Sequence, residues 1–294
     1  MKAGIEVKPL FQAERRRLER KWRLRSIHLF LYAAGLIIAF MVLCAIAPQW
    51  VTSHSPTQMD PSNLMRPPGG SHWLGTDYFG RDMFSLIVYG SRDSLLIGLA
   101  SVVVGGAAGA TLGTLSGYLG GWVDLVVMRF IEILMTIPGI LLALAIAAAT
   151  GPSLTNVVLA IAASSIPRYA RVMRSQVLSV KNRPFVLASR SIGSSGIRTF
   201  FKHVMPGSLA PFLVMSAIGI GTSILAGSAL SFLGLGVVKE IPDWGALLAQ
   251  GRGYLMVAWW ICTFPGLAIA LFVLAVNIIG DYIRDVLDPR SRSG

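Results

Sequence analysis

The chain has 294 residues, of which 54% are hydrophobic and only 14% charged, with a mean hydropathy of +0.64 and a formal net charge of +12. Such a composition excludes an ordinary soluble domain and points to an all-α, polytopic membrane protein, because a helix crosses a bilayer on about 20 apolar residues. The positive charge does not read as a nucleic-acid surface: the basic residues flank apolar runs rather than forming one patch with aromatics.

Residues 1–26 carry nine Lys or Arg against three Glu. This basic segment is too long and too charged for an ordinary cleaved signal, and no small-residue cleavage site follows it, so the apolar run 27–47 reads as a retained anchor. The stretch from 48 to 93 is rich in Pro, Gly, Asn and Ser, which indicates turns rather than a packed domain. Within it Gly75-Thr76-Asp77 and Gly80-Arg81-Asp82 bring two glycines, two aspartates and an arginine close together. They read as an internally hydrogen-bonded cap at the mouth of the next span, or as a docking surface. His72, Asp77 and Asp82 are metal-ligand types, but no metal site is expected from them.

A second apolar run, 94–116, places Gly105, Gly109, Gly113, Gly117 and Gly121 four residues apart, a bare stripe against which another backbone can pack. The third, 125–149, follows Asp124 and holds Arg129 and Glu132 on one helical face, with Pro138 inside it; the fourth, 154–171, contains Pro167 and runs into arginines. Both prolines should kink their helices, as hinges or as shapers of packing. The fifth run, 209–236, repeats the small-residue row in Gly219, Ser223, Gly227 and Ser231. The sixth, 258–280, is apolar apart from Asn277 and ends in Asp281, Arg284, Asp285 and Asp288, where Arg284 is in helical reach of Asp281 or Asp288. Cys44 and Cys262 fall within spans and read as reduced packing residues.

Charge orients the six spans. Residues 168–208 hold eight Lys or Arg and no acid, whereas 48–93 and 238–257 together hold five Lys or Arg and six acids. Basic loops stay in the cytoplasm, so both termini and the 168–208 stretch are expected there. No G-x-x-x-x-G-K-[ST] is present, the histidines His28, His54, His72 and His203 are scattered, and no nucleophile constellation is visible, which argues against an enzyme. A secondary transporter lacks its usual support, since neither buried carboxylates nor an inverted repeat can be seen.

The basic stretch contains "FVLASRSIGSSGIRTFFKHVMPG" (185–207). Its expected form is a short helix over Val186–Ile192, a turn over Gly193–Gly196 and a second helix over Ile197–Val204 stopped by Pro206. Apolar side chains mixed with Arg190, Arg198 and Lys202 around the small Ala188, Ser189 and Gly193 suit either docking into a protein groove or resting on anionic lipid heads.

The same segment resembles the cytoplasmic loop of ABC-importer permeases, E-A-A, three residues, G, nine residues, I-x-L-P. Leu187-Ala188-Ser189 stands at the E-A-A, Gly193 at the glycine and His203-Val204-Met205-Pro206 at the end, with Leu187, His203 and Met205 departing from the pattern. "HWLGTDYFGRDMFS" (72–85), "GYLGGWVDLVVMRFIEILMTIPGILLALA" (117–145), "SFLGLGV" (231–237), "PDWGALL" (242–248) and "FPGLAIALFVLAVNIIGDYIRDVLDPR" (264–290) are similar, in order and spacing, to the second, C-type subunit of the dipeptide/oligopeptide/nickel permease family. The resemblance covers about residues 27–290.

The resemblance implies a type I ABC-importer permease fold: a basic segment 1–26, a first helix and external loop 27–93, a transmembrane domain 94–290 with its cytoplasmic loop at 172–208, and a tail 291–294. It implies a bacterial inner-membrane subunit that binds no cofactor itself, working with a homologous permease, two ATPase subunits using ATP and Mg²⁺, and an extracytoplasmic solute-binding protein. Leu187, Ala188, Ser189, Arg190, Gly193 and Pro206 would then lie in the ATPase-coupling loop. Peptides are the expected solute; nickel or metal chelates, or opine-like conjugates, are the alternative within the family, and a non-transporting scaffold or receptor subunit is the alternative outside it.

Overall fold

The computed structural model describes residues 28–287. The segments 1–26 and 291–294 and the residue Asp288, for which roles or pairings are expected above, lie outside the described residues. All named elements are helical; the only bridges among the described residues are the isolated pairs Gly69–His72 and Thr76–Asp82.

Helix α1, His28–Ile46, turns only a narrow stripe of Ala34, Met41 and Cys44 inward. Helix α2, Met83–Leu119, is the spine of the molecule: its 37 residues make a rod of about 55 Å at 1.5 Å per residue, well beyond the ~30 Å apolar thickness of a bilayer. It begins on the Asp82 carboxylate, which accepts the Ser85 amide, and ends where Gly120 and Gly121 both take positive φ (69° and 52°). Gly121 therefore starts the next helix, and the expected small-residue row stops at Gly117.

Helices α3 (Gly121–Met135) and α4 (Gly139–Thr150) replace the single third span expected from the sequence. They are bent 87° from each other. The break has a local cause: Pro138 disfavours helical backbone at the residue before it, and it stands extended (ψ 127°) as the N-cap of α4. Helix α5, Leu154–Lys181, continues unbroken through Pro167 well past the expected end at 171. Its second half carries Arg168, Arg171 and Arg174, which keeps it from being apolar enough to count as a span by composition. Among the described residues four helices meet that test, α1, α2, Gly196–Phe232 and α10, or five if the bent α3–α4 pair is one crossing. The six expected runs thus map onto helices, but not onto six straight spans.

Beyond α5 come α6 (Pro184–Ser191), α7 (Gly196–Thr199), α8 (Met205–Phe232), α9 (Trp244–Gly251) and α10 (Trp260–Leu287). Three apolar clusters hold them. Met83, Leu86, Trp244, Trp260 and Phe272 join α2, α9 and α10; Ile97, Ala143, Val157 and Leu230 join α2, α4, α5 and α8. Val177, Val180, Val186 and Val204, covered by Tyr118 and Phe200, seal the far end.

Helices α2 and α5 run parallel in constant register. A Cβ at Gly109 would stand 2.7 Å from the Ile166 carbonyl oxygen, and one at Gly117 2.9 Å from that of Arg174. Gly105 meets the Ala162 backbone and Gly113 that of Ala170 in the same way. The second small-residue row begins against these two helices, Gly219 at the Tyr169 hydroxyl and Gly227 at Ile97, and ends at the start of α9, where Ser231 donates to Asp243 at 2.8 Å. Cys44 and Cys262 are free, the latter close to the Leu248 carbonyl.

Candidate functional site

Two polar constructions lie at opposite ends of α2. At its N-terminal end sits the Gly75–Asp82 motif. The Asp77 carboxylate accepts the amides of Phe79 (2.9 Å) and Arg81 (2.8 Å) and the Nε of Arg81 (2.7 Å), in an ion pair that is almost wholly buried. Arg81 also donates to the Glu240 carbonyl at 3.3 Å, tying the motif to the segment before α9. Thr76 accepts the Arg66 amide on its hydroxyl and donates to the Asn63 carbonyl, while its own carbonyl accepts Trp260 Nε1 at 2.9 Å. Gly75 and Gly80 both hold φ of 77°, and a side chain at either would collide with the Arg66 or Asp60 backbone.

The remaining acid, Asp82, accepts from His72 Nδ1 at 2.9 Å and from both the amide and hydroxyl of Ser85 at 2.8 Å; Ser85 in turn contacts Thr52. Asp77 is thus engaged with Arg81, and among the described residues no three His, Cys, Asp or Glu side chains gather closely enough to hold a metal. Nearby, hydrogen bonds from the Ser62 hydroxyl and amide hold the Asp60 carboxyl below the usual carboxylate range. Asp243, which caps α9 through the Gly245 and Ala246 amides, is pushed the other way by its burial.

At the C-terminal end of α2 stands the hairpin of α6 and α7. Its turn is shorter than the sequence indicates: Gly193 takes φ 88° and Ser195 already caps α7, so Gly196 is helical. The second helix does not stop at Pro206. Instead Phe200–Val204 form a π turn, with the Met205 amide reaching back to the Phe200 carbonyl, and the chain enters α8 without interruption. The wide turn lies directly before Pro206, where a continuous helical run must accommodate a residue that cannot donate a backbone N–H to the preceding turn.

Tyr118 seats this hairpin. Its hydroxyl donates to the Gly196 carbonyl (2.5 Å) and accepts from Arg190 (3.4 Å), its ring packs on Phe200 at 4.8 Å, and Lys181 donates to its carbonyl at 2.7 Å. Val186 and Val204 are buried beneath, whereas Leu187, Ile192, Ile197 and Phe201 are exposed, Ile192 at 87%. Ala188 and Arg190 are also exposed; Ser189 and Gly193 line a recess of 250 Å³ with Arg198 and His203. A side chain on Gly193 would meet nothing within 4 Å, so only the backbone, not the interior of this chain, demands glycine there.

Asp124 lies beside the hairpin end and accepts Arg174 Nε and Nη2, both at 2.5 Å, together with the Ser116 hydroxyl, locking α3 to α5 and α2. The expected Arg129–Glu132 pair is present at 3.3 Å and exposed; Arg284 makes no ion pair with Asp281. Tyr118 and the Asp124–Arg174 bridge were not among the expected site residues. Tyr118 and Asp124 do sit in the "GYLGGWVD" motif, but the partner Arg174 is 50 positions away, and no local spacing reveals such a pair.

A chain of this construction is a membrane-embedded helical subunit. Residues 109–293 match the family described as binding-protein-dependent transport system inner membrane component, and the chain belongs to that family. It is 43% identical over 258 residues to the dipeptide transport system permease protein DppC of Alkalihalophilus pseudofirmus, covering 88% of this chain and 85% of that one. It is 42% identical to the di/tripeptide transport system permease protein DppC of Pseudomonas aeruginosa, covering 88% and 87%. With the glutathione transport system permease protein GsiD of Escherichia coli the identity is 39%, over 98% and 96% of the two chains. A chain of the MetNI methionine ABC transporter shares the fold at a TM-score of 0.56 and 20% identity, over 70% of this chain and 98% of that one. The protein is therefore a multi-pass permease subunit of an ABC importer, and ATP hydrolysis belongs to separate subunits.

Proposed function

We propose that this subunit forms one side of a translocation pathway for short peptides, opposite a homologous permease, in the bacterial inner membrane. The observation that carries the solute class is the similarity, over nearly the whole chain, to permeases named for dipeptides, di- and tripeptides and glutathione. In this reading an extracytoplasmic receptor delivers the peptide to the Gly75–Asp82 end, and two ATPase subunits, which hold ATP and Mg²⁺, grip the hairpin end. The placement of these two features at opposite ends of α2 supports that division. So does the C-terminus of α10, since Leu287 lies with Gly207 and Arg183 at the hairpin end, where a cytoplasmic C-terminus belongs. The exposed Leu187, Ile192, Ile197 and Phe201 supply an apolar knuckle for an ATPase groove, and the basic residues around it supply its rim.

The test is reconstitution of the permease pair, ATPases and receptor in vesicles, measuring peptide-stimulated ATP hydrolysis and uptake together. Gly193→Asn, which tolerates positive φ, should retain most coupled uptake. Gly193→Trp should release the ATPases or leave hydrolysis running without uptake. Normal assembly and transport in Gly193→Trp would remove the docking role, and stimulation only by non-peptide receptor ligands would remove the solute class.

A further inference from the structure

Arg168 stands near the middle of α5, level with Gly109–Gly113 of α2 and at the start of the arginine-bearing half of its helix. A cation that adjoins the apolar runs of a membrane bundle tends to face a polar cavity or serve a function. Arg168 is exposed, and among the described residues it has no hydrogen-bond or ion-pair partner. It lies on the wall of two cavities at once. One, of 350 Å³, opens at the α3–α4 break, where Pro138 faces Ser164, Ser165 and Thr222. The other, of 640 Å³, leads toward the hairpin end past Gln176, Arg183 and Arg284. No acidic side chain among the described residues lines either.

The first cavity is built of hydroxyls and apolar groups around a single charge. The hydroxyls of Ser164 and Thr222 are directed to their own helix carbonyls, at 2.8 and 3.0 Å, so they neither neutralise nor compete with the guanidinium. Pro167 keeps the α5 backbone from supplying one N–H in this region, and the adjoining break between α3 and α4 makes room for a solute. A forked, permanently charged donor on a cavity wall recognises a planar anion in two-point contact. Resting on the peptide-permease reading above, we propose that Arg168 is a solute-binding residue of the pathway, pairing with the free carboxylate of the peptide in transit. Arg183 and Arg284 then continue a cationic track along which that carboxylate leaves.

The experiment uses the assembled complex, with Cys44→Ala and Cys262→Ala in this chain and Thr222→Cys as a reporter in the first cavity. Its rates with an anionic and a cationic methanethiosulfonate of similar size are compared, alongside dipeptide uptake. With Arg168 in place the anionic reagent should be favoured; Arg168→Gln should lower the anionic-to-cationic ratio by about tenfold or more and depress uptake, and Arg168→Lys, charged but without the fork, should restore the ratio and only part of the uptake. An unchanged ratio in Arg168→Gln overturns the proposal, as does a fallen ratio with normal uptake. Loss of subunit assembly in Arg168→Gln that Arg168→Lys repairs would place the cation at a subunit contact and overturns it too. A parent complex that moves no peptide would fail the peptide reading instead, while the difference in reagent preference between the parent and Arg168→Gln, which isolates this one charge, would still be read.

Discussion

Asp77 and Arg81 are buried together, so each depends on the other more than the pair contributes to the fold. Removing one partner leaves an uncompensated charge, which costs about 3–5 kcal/mol, whereas replacing both can cost much less. Arg81→Met should therefore lower the thermal unfolding temperature of the detergent-solubilised protein sharply, and Asp77→Leu combined with Arg81→Met should recover part of the loss. An additive double variant would contradict the buried-pair account. Asp60 gives a pH-dependent counterpart. Its folded pKa lies below the unfolded value, so its contribution is present above the ordinary carboxylate range and is lost as pH falls through the folded pKa. Protection of the Ser62 amide, its exchange rate divided into the intrinsic rate at the same pH, should fall on acidification below about pH 4, and in Asp60→Ala it should be low and insensitive to this titration.

Helices α2 and α5 are held by contact of backbone on backbone, so volume added there cannot be absorbed by a rotamer change. Gly113→Leu would drive its side chain into Ala170 and should destabilise the protein by about 1–3 kcal/mol or more, seen as a lower melting temperature or loss of the folded species on size exclusion. Across the bundle, Arg174→Gln removes a two-point charged hydrogen bond to Asp124. It should cost about 1.5 kcal/mol in thermal unfolding, the low end for a charged hydrogen bond, because both partners are partly exposed to solvent. The glycine row was legible because a four-residue period is a local pattern. An interruption at Pro138 was legible as well, but its extent, an 87° bend between two separate helices, and the passage through Pro206 were not, because proline leaves several outcomes open and neighbouring packing chooses among them: one proline ended a helix, one followed a π turn, and Pro167 stayed inside α5. The Asp124–Arg174 bridge joins residues that only the tertiary arrangement brings together. The order of the apolar runs was therefore readable, and the number of straight crossings was not.

The whole molecule links its two ends through α2, which carries the Asp82 cap at one terminus and Tyr118 under the hairpin at the other. Tyr118→Phe keeps the ring on Phe200 but removes the bond to Gly196; Tyr118→Ala removes the seat itself. Hydrogen exchange across residues 184–204 should quicken slightly in the first and strongly in the second, with uptake falling in the same order. Equal protection in Tyr118→Ala would show that the hairpin is held without this residue. The hairpin's outgoing arm and α8 form one helical run of 37 residues, Gly196–Phe232, interrupted only by the π turn. Such a run behaves as a lever with one soft collar: a push sideways on its free tip must tilt the far arm, and the collar decides how much of the stroke is spent in bending.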